Sequence, residues 1–237
     1  MALRPYCHIG ALLFKAQNSP TVGKGTAILI SPNLVLTAAH NIRPKNTTTN
    51  NYDFKFYPGQ CGLLQKCYTV ESFFFPEEFK KGLRVPKYDY AILKLNEEIP
   101  SQNKFIPLSS DLSEIKTASI RLFGYPSQSN NYIPIDEKGS NWKAYQFGLI
   151  KAGQILEVDE KKAEVTHTIS TRIGQSGAPI ILEDSRGRLS IVGIHKGGVK
   201  KGNASVSTAN SGRIVTPELI SILRREAEKL GAIPFRS

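Results

Sequence analysis

We predict an all-β protein in which two β-units follow one another along the chain and a single α-helix follows them. Three observations predict this class. Short segments rich in β-branched and aromatic residues recur along most of the chain, turn-forming residues separate them, and a helical repeat of apolar residues occurs only after position 216. Strands at this spacing, without helices between them, are typical of β-sandwiches and β-barrels rather than of a parallel sheet.

The strand-like segments fall into two series, separated by a polar connection at 97–113 that contains two prolines. Turn signals such as Ser31-Pro32-Asn33 bound the segments. The first series covers 9–14, 25–30, 34–37, 68–74 and 91–95, and the second covers 119–123, 145–150, 154–158, 164–168, 179–182, 189–194 and 212–215. We therefore expect an N-terminal unit over residues 1–105, a second unit over 106–215, and a helix with its tail over 216–237.

The one predicted helix begins after Thr216, whose hydroxyl can cap the first turn, and Pro217 suits the first helical position. Apolar residues then recur at helical spacing until Gly231, which ends the run. We expect the apolar stripe of this helix to pack on the second β-unit, and we assign no chemistry to it.

The charge balance is strongly basic, with 31 Lys and Arg against 20 Asp and Glu, a formal net charge of +11. Such a balance attracts nucleic acid, anionic membranes or acidic substrates, but it also simply keeps a protein soluble. The basic residues are scattered in short pairs without the signature of a nucleic-acid-binding module, so we expect no specific nucleic-acid partner. The longest apolar stretches fall far short of the roughly 20 residues that a membrane-spanning helix needs.

The chain has three cysteines, Cys7, Cys61 and Cys67, too few for a disulfide scaffold. Cys61 and Cys67 are close enough in sequence to form one small bridge, and reduced thiols fit the spacing equally well. No Cys and His set has the spacing of metal ligands, so we expect no metal and no other cofactor. The chain starts without a secretory signal, so it is either intracellular or a mature or trimmed form of a secreted protein.

Three local motifs contain candidate catalytic residues, although none of them is specific alone. Gly174-Gln175-Ser176-Gly177 offers a serine nucleophile, and its first glycine allows the N–H groups of Gly174 and Ser176 to face a developing oxyanion. His40 follows two alanines at the end of a strand, and histidine suits a general base near neutral pH. Asp89 enters an apolar strand, where a partly buried carboxylate needs a partner such as a histidine N–H.

Taken together, the three motifs resemble those of chymotrypsin-fold, trypsin-like serine peptidases. The order His40, Asp89, Ser176 differs from the orders found in α/β-hydrolases and in subtilisins. The resemblance implies two antiparallel six-stranded β-barrels, with His40 and Asp89 in the first and Ser176 in the second. It also implies cleavage of peptide bonds through an acyl-enzyme, in which His40 takes the Ser176 proton and Asp89 orients His40.

A finer resemblance points to the glutamyl endopeptidase branch of this family, which cuts after acidic residues. Pro5-Tyr6 and Gly124-Tyr125-Pro126 resemble segments of that branch, and residues 193–198 are similar to the strand that lines its primary specificity pocket. The resemblance implies that His195 and Thr171 hold the substrate carboxylate. It also places two glycines in the wall of the pocket, Gly197 and Gly198.

The residue types around this pocket agree with an acidic substrate. Cleavage after Lys or Arg would require an acidic group at the base of the pocket, six residues before the nucleophile. Ser170 occupies that position and is neutral, and residues 167–177 include no Asp or Glu. A threonine hydroxyl and an imidazole are hydrogen-bond donors that suit a carboxylate. Lys196 departs from the family, which often has an aromatic residue at this place, so contacts with more distant substrate residues should differ.

Alternatives of two kinds remain open on the sequence. One keeps the serine peptidase activity but has a small or aliphatic specificity, as in HtrA-like peptidases. The others are a protease-fold protein that binds partners without cutting them and a basic nucleic-acid-binding β-domain. Under the main interpretation the partners are protein or peptide substrates with acidic residues at the cleavage site, and the oligomeric state stays open.

Overall fold

A computed structural model of the chain describes residues 6–17, 22–44, 47–59, 66–101, 104–126, 149–199 and 209–237. Within these ranges almost all of the regular structure is β-strand, as the sequence predicts. The thirteen described strands are β1 (Ile9–Lys15), β2 (Val22–Ser31), β3 (Leu34–Thr37), β4 (Tyr52–Pro58), β5 (Tyr68–Phe74), β6 (Ala91–Leu95), β7 (Ile120–Gly124), β8 (Leu149–Gly153), β9 (Ile155–Asp159), β10 (Glu164–His167), β11 (Pro179–Glu183), β12 (Leu189–Val199) and β13 (Ala209–Ile214).

Helical structure is confined to short turns and one longer helix. The described α-helices are α1 (Glu77–Lys80) and α2 (Pro217–Lys229), and single 3₁₀ turns occur at Tyr6–His8, Ala39–Asn41 and Pro86–Tyr88. No helix among the described residues is both long and apolar enough to cross a membrane.

The first six strands form a closed antiparallel barrel in the order β1-β2-β3-β6-β5-β4. Strand β4 closes it by pairing with β1, and the sequence interpretation did not predict this strand. Tyr57-Pro58-Gly59 has the residue types of a turn, but the strand includes Tyr57 and Pro58 and the turn falls at Gly59, which has a φ of +53°. The alternation that identifies β4 is weak, because its first two residues are exposed before Phe54 and Phe56 turn inward.

The second unit is a seven-stranded sheet in the order β8-β7-β11-β12-β13-β10-β9. Its two outer strands, β8 and β9, are consecutive in the chain with only Gln154 between them, so the sheet curls back on itself through one bent segment. Thr168 holds the bend, because its hydroxyl oxygen accepts from the Gln154 N–H and its own N–H donates to the Gln154 carbonyl, both at 3.0 Å. The predicted strand at 145–150 begins at Leu149 in the described part of the chain.

Apolar side chains fill three regions. One lies inside the first barrel around Leu12, Leu29 and Phe56, and one lies inside the second sheet around Leu122 and Ile180. The third lies between the two units and the terminal helix. Because this third cluster contains side chains from both units, burial of apolar surface holds the two units against each other.

Helix α2 has the predicted ends, but its packing is not confined to the second unit. Thr216 caps it, with its hydroxyl oxygen accepting the Leu219 N–H at 3.1 Å, and Gly231 follows the last turn with a φ of +65°. The expectation that its apolar stripe packs on the second unit is wrong as a full description. The helix lies beside β6 of the first barrel, and the tail is tied there by a 2.9 Å hydrogen bond from the Ile233 N–H to Asn33 Oδ1.

The possible bridge between Cys61 and Cys67 is absent. Cys67 takes part in no disulfide, and Cys61 lies outside the described residues. The Cys67 side chain instead makes a hydrogen bond to Tyr57, which lies on β4 of the first barrel.

The second sheet encloses a pair of buried histidines. His167 on β10 and His195 on β12 both flank β13, and His167 Nε2 lies 3.3 Å from His195 Nδ1. Loss of solvent lowers the pKa of His167 to about 4, and loss of solvent together with the neighbouring His167 lowers the pKa of His195 to about 3. Both rings are therefore neutral at pH 7.

This pair predicts a loss of stability in mild acid. A histidine in the unfolded chain binds a proton near pH 6.5, whereas His167 and His195 stay neutral in the folded protein until about pH 4 and 3. The unfolded state is therefore favoured as the pH falls below 6.5, and the free energy of unfolding should drop by up to about 1.4 kcal/mol per pH unit for each histidine.

Urea unfolding of the protein and of His167→Gln, measured between pH 7.5 and 5, checks this expectation. The variant should show a shallower fall in the free energy of unfolding. The same slope in both proteins would contradict the assignment of a buried neutral His167.

Candidate active site

Strands β3 and β6 bring His40 and Asp89 to the same end of the first barrel. The two strands are antiparallel, with Thr37 at the end of β3 opposite Ala91 at the start of β6. His40 lies in the 3₁₀ turn just after β3, and Asp89 lies between the 3₁₀ turn Pro86–Tyr88 and β6. Their 49-residue separation in sequence is therefore removed by a single strand pairing.

Asp89 contacts His40 at two points. His40 Nδ1 lies 2.8 Å from Asp89 Oδ2 and 3.1 Å from Oδ1, and the backbone N–H of His40 donates to Oδ1 at 3.0 Å. Asp89 is only 2% exposed. Burial alone would raise the pKa of Asp89, but the attraction of His40 and these hydrogen bonds outweigh it, so the pKa lies below its usual value and the carboxylate stays charged.

Ser176 follows a tight turn formed by residues 172–175. The Gln175 N–H donates to the Arg172 carbonyl at 3.2 Å, and Gly174 at the third position has a φ of +94°. A positive φ at this position identifies a type II turn, which only glycine enters without strain. The buried Gln175 side chain closes the turn a second time, because its Oε1 accepts the Arg172 N–H at 2.8 Å.

The backbone amides around Ser176 divide into two groups. The N–H groups of Gln175, Gly177 and Ala178 each donate to a backbone carbonyl, whereas those of Gly174 and Ser176 have no acceptor among the described residues. The Gly174 carbonyl is held against β2 by the Thr26 hydroxyl, which donates to it at 2.9 Å. Two amide donors next to Ser176 are therefore available to an acceptor from outside the protein.

Two hydrogen bonds tie the Ser176 backbone to the first barrel. The Ser176 carbonyl accepts from the Thr26 N–H at 2.8 Å and from Asn41 Nδ2 at 3.0 Å. Asn41 is the neighbour of His40, so the residue next to the imidazole also positions the serine. Gly177 is required for this approach, because a Cβ at that position would lie 2.2 Å from Thr37 Oγ1.

The Ser176 hydroxyl donates to the Lys196 carbonyl at a long 3.5 Å. In the described part of the chain no hydrogen bond joins it to His40. Contacts of this kind are often long in structures without substrate and tighten when substrate binds.

The four residues expected at the specificity pocket meet around β13. His195 is almost fully buried on β12, and Gly198 on the same strand lies opposite Asn210 of β13, as Gly197 lies opposite Ser211. Thr171 reaches the same place from the loop, with its hydroxyl donating to Asn210 Oδ1 at 2.8 Å. Asn210 is held in turn by a 2.8 Å hydrogen bond from its Nδ2 to the Ile169 carbonyl.

Sequence reasoning missed the polar residues that support these side chains. They are Thr26, Asn41, His167, Gln175 and Asn210. Gln175 lies inside the motif around Ser176, which assigns no role to its side chain, and the other four are single polar residues without a motif of their own. Only closeness in sequence to a candidate residue could have indicated some of them.

Comparison with known proteins agrees with this geometry. A family profile described as a trypsin-like peptidase domain matches residues 25–194. No curated protein sequence matches. A Glu endopeptidase in complex with MPD superposes with a TM-score of 0.73 and 19% identity, covering 96% of this chain and 93% of that one.

Two further solved structures share the fold. The protease Anisep from Arthrobacter nicotinovorans has a TM-score of 0.66 and 16% identity, covering 96% of this chain and 98% of its own. The thermostable serine protease AL20, from an extremophilic microorganism, has a TM-score of 0.64 and 15% identity, covering 88% and 91%. At these identities the similarity to the solved structures establishes only the fold. The family profile matches most of the chain and therefore establishes the family. The chain therefore belongs to the trypsin-like peptidase family and is a serine peptidase of the chymotrypsin fold.

Proposed function

We propose that this protein is a serine endopeptidase that cleaves peptide bonds after Glu or Asp. In this proposal Ser176 is the nucleophile, His40 the general base and Asp89 the residue that orients the base. The two-point contact of the Asp89 carboxylate with the ring and the backbone N–H of His40 is the observation that carries the proposal. A buried carboxylate bound in this way selects the imidazole tautomer with its proton on Nδ1.

The reaction follows from that tautomer. His40 Nε2 takes the proton of the Ser176 hydroxyl as its oxygen bonds to the substrate carbonyl carbon, and the carbonyl oxygen becomes an oxyanion. The N–H groups of Gly174 and Ser176 receive this negative charge. The imidazolium then gives its proton to the leaving amine, and the acyl group remains on Ser176. Water next attacks the acyl carbon while His40 takes its proton, and His40 returns the proton to the Ser176 oxygen as the acid leaves.

The preference for Glu is supported by the donors of the pocket. A neutral His195 carries one ring proton, and an N–H from His167 Nε2 to His195 Nδ1 would leave that proton on His195 Nε2. The His195 ring also makes a hydrogen bond to the Ser211 backbone, and a substrate carboxylate would compete with that acceptor for the ring proton. Thr171 would supply a second donor by turning its hydroxyl hydrogen from Asn210 to the substrate. The fold shared with a protein named as a Glu endopeptidase supports the same specificity.

The proposed triad predicts a large and non-additive loss of activity. Ser176→Ala or His40→Ala should lower kcat by roughly 10⁴–10⁶-fold, and the double variant should lose little more, because the residues act as a unit. Asp89→Asn should cost about 10⁴-fold by favouring the wrong imidazole tautomer. Peptide hydrolysis at saturating substrate measures these effects, and near-native activity in Ser176→Ala would contradict the assignment.

The proposed oxyanion site predicts a selective effect of Gly174→Ala. A side chain at a φ of +94° disfavours the type II turn and turns the Gly174 N–H away from the substrate, so kcat should fall about 10²–10³-fold with little change in KM. Gly187→Ala is the matched control, because Gly187 also has a positive φ of +74° and open space around it but lies in a hairpin turn between β11 and β12. Equal effects in the two variants would show that backbone strain alone explains the loss.

The pocket predicts a preference for Glu over its neutral isostere Gln. Loss of one charged hydrogen bond costs about 1.5–3 kcal/mol, so kcat/KM for a Glu peptide should exceed that for the matching Gln peptide by about 10- to 100-fold. Thr171→Val should reduce this ratio, whereas Thr171→Ser retains the hydroxyl and should preserve it. Equal cleavage after Glu and Gln, or faster cleavage after Lys or Leu, would overturn the proposed specificity.

A further inference from the structure

Four cations form a continuous row from the surface of the first barrel to the candidate active site. We call this row the cationic ridge, and it consists of Lys80, Arg43, Arg84 and Lys196. Each is joined to the next through a backbone carbonyl. Arg43 Nη1 donates to the Lys80 carbonyl at 3.4 Å, Arg84 Nη1 to the Arg43 carbonyl at 3.0 Å, and Lys196 Nζ to the Arg84 carbonyl at 3.4 Å.

Two buried aromatic rings hold the ridge in place. Arg43 Cζ lies 5.5 Å and Lys80 Nζ 5.3 Å from the centre of the Phe75 ring, and Arg84 Cζ lies 3.9 Å from the centre of the Phe79 ring. Cations over aromatic faces are attracted by the ring quadrupole, and this attraction favours positions of these side chains against the surface.

Among the described residues, carboxylates compensate the charge of the ridge at its outer end only. Lys80 pairs with Glu77, and Arg43 is close enough to Glu77 to help lower the pKa of that carboxyl. Burial and then the like charge of Arg43 lower the pKa of Arg84. Within the described ranges Arg84 and Lys196 form no ion pair, and the carboxylate they influence is the buried Asp89, which is already bound to His40.

The uncompensated end of the ridge adjoins the site. Lys196 lies on β12 directly after His195, and its carbonyl accepts the hydroxyl of Ser176. Arg84 lies five residues before Asp89, between Leu83 and Val85, which are 51% and 47% exposed. Two cations without a carboxylate partner, next to exposed apolar side chains, thus border the cleft where a substrate chain would lie.

We propose that Arg84 and Lys196 form an outer subsite that binds an acidic side chain of the substrate, separate from the residue held by His195 and Thr171. This inference rests on the proposed peptidase function. Lys196 lies on the strand that lines the specificity pocket. The substrate residue in that pocket belongs to the acyl part of the substrate, which lies upstream of the cleaved bond and remains on Ser176 after the first step. The subsite therefore takes a Glu or Asp in the two or three residues upstream of the cleavage position, with Leu83 and Val85 contacting the apolar part of the chain.

Two peptides test the subsite. Both carry Glu at the cleavage position, and the two preceding residues are Glu in one and Gln in the other. Because exposed ion pairs are individually weak, the wild-type chain should cleave the acidic peptide about three- to tenfold faster in kcat/KM at low salt. The preference should shrink toward unity in about 0.5 M salt, where the Debye length is shorter than 5 Å.

Variants then assign the preference to the ridge. Lys196→Gln and Arg84→Gln should each reduce the ratio between the two peptides by about two- to fivefold, and Lys196→Glu should abolish or invert it. Lys161→Gln removes the same charge from an exposed turn between β9 and β10, and it should leave the ratio unchanged. A ratio measured within one variant does not depend on how much of that variant is folded.

The outcomes separate this inference from the function on which it rests. Cleavage of both peptides at equal rates would overturn the outer subsite and leave the peptidase intact. A preference that is undiminished in Lys196→Gln, or that follows acidic residues downstream of the cleavage position instead, would also overturn it. Failure to cleave either peptide would overturn the proposed function together with the subsite.

Discussion

The site depends on the pair of hydrogen bonds that the Ser176 carbonyl accepts from the first barrel. One comes from the Thr26 N–H at 2.8 Å and the other from Asn41 Nδ2 at 3.0 Å. They fix the backbone of the candidate nucleophile relative to the segment that carries His40, although the two belong to different β-units. A hydrophobic cluster between the units also holds them together, but apolar packing is not directional. The two polar contacts are directional, and the absence of a side chain at Gly177 is what permits them.

Burial has opposite consequences for the acidic and the basic groups of the site. Asp89 is buried yet charged, because the ring and the backbone N–H of His40 replace the lost water. His167 and His195 are buried without a carboxylate and are therefore neutral. This division suits the proposed chemistry, since a charged Asp89 can stabilise an imidazolium on His40. A neutral His195 can receive a substrate carboxylate without a resident counter-ion that would have to be displaced.

Much of this arrangement could be predicted from the sequence, since His40, Asp89 and Ser176 each lie in a local pattern with a chemical reason. Their order and contexts also predicted the fold. Strand β4 could not be predicted, because its inward-facing residues are preceded by exposed ones and Pro58 looks like a turn. The packing side of helix α2 could not be predicted either, since an amphipathic stripe does not specify which unit covers it. Support by Asn41 depends on contacts between residues 135 positions apart, which no local pattern records.

The central claim is that Ser176 is a nucleophile activated by its surroundings in the folded protein. A small fluorophosphonate measures this directly, because an activated serine oxygen displaces fluoride from phosphorus whereas ordinary serines react very slowly. The account predicts one adduct per chain, located on Ser176 by peptide mapping, in the native protein and not after unfolding in denaturant. No adduct in the native protein, or an adduct on another residue while Ser176 remains unmodified, would contradict the account.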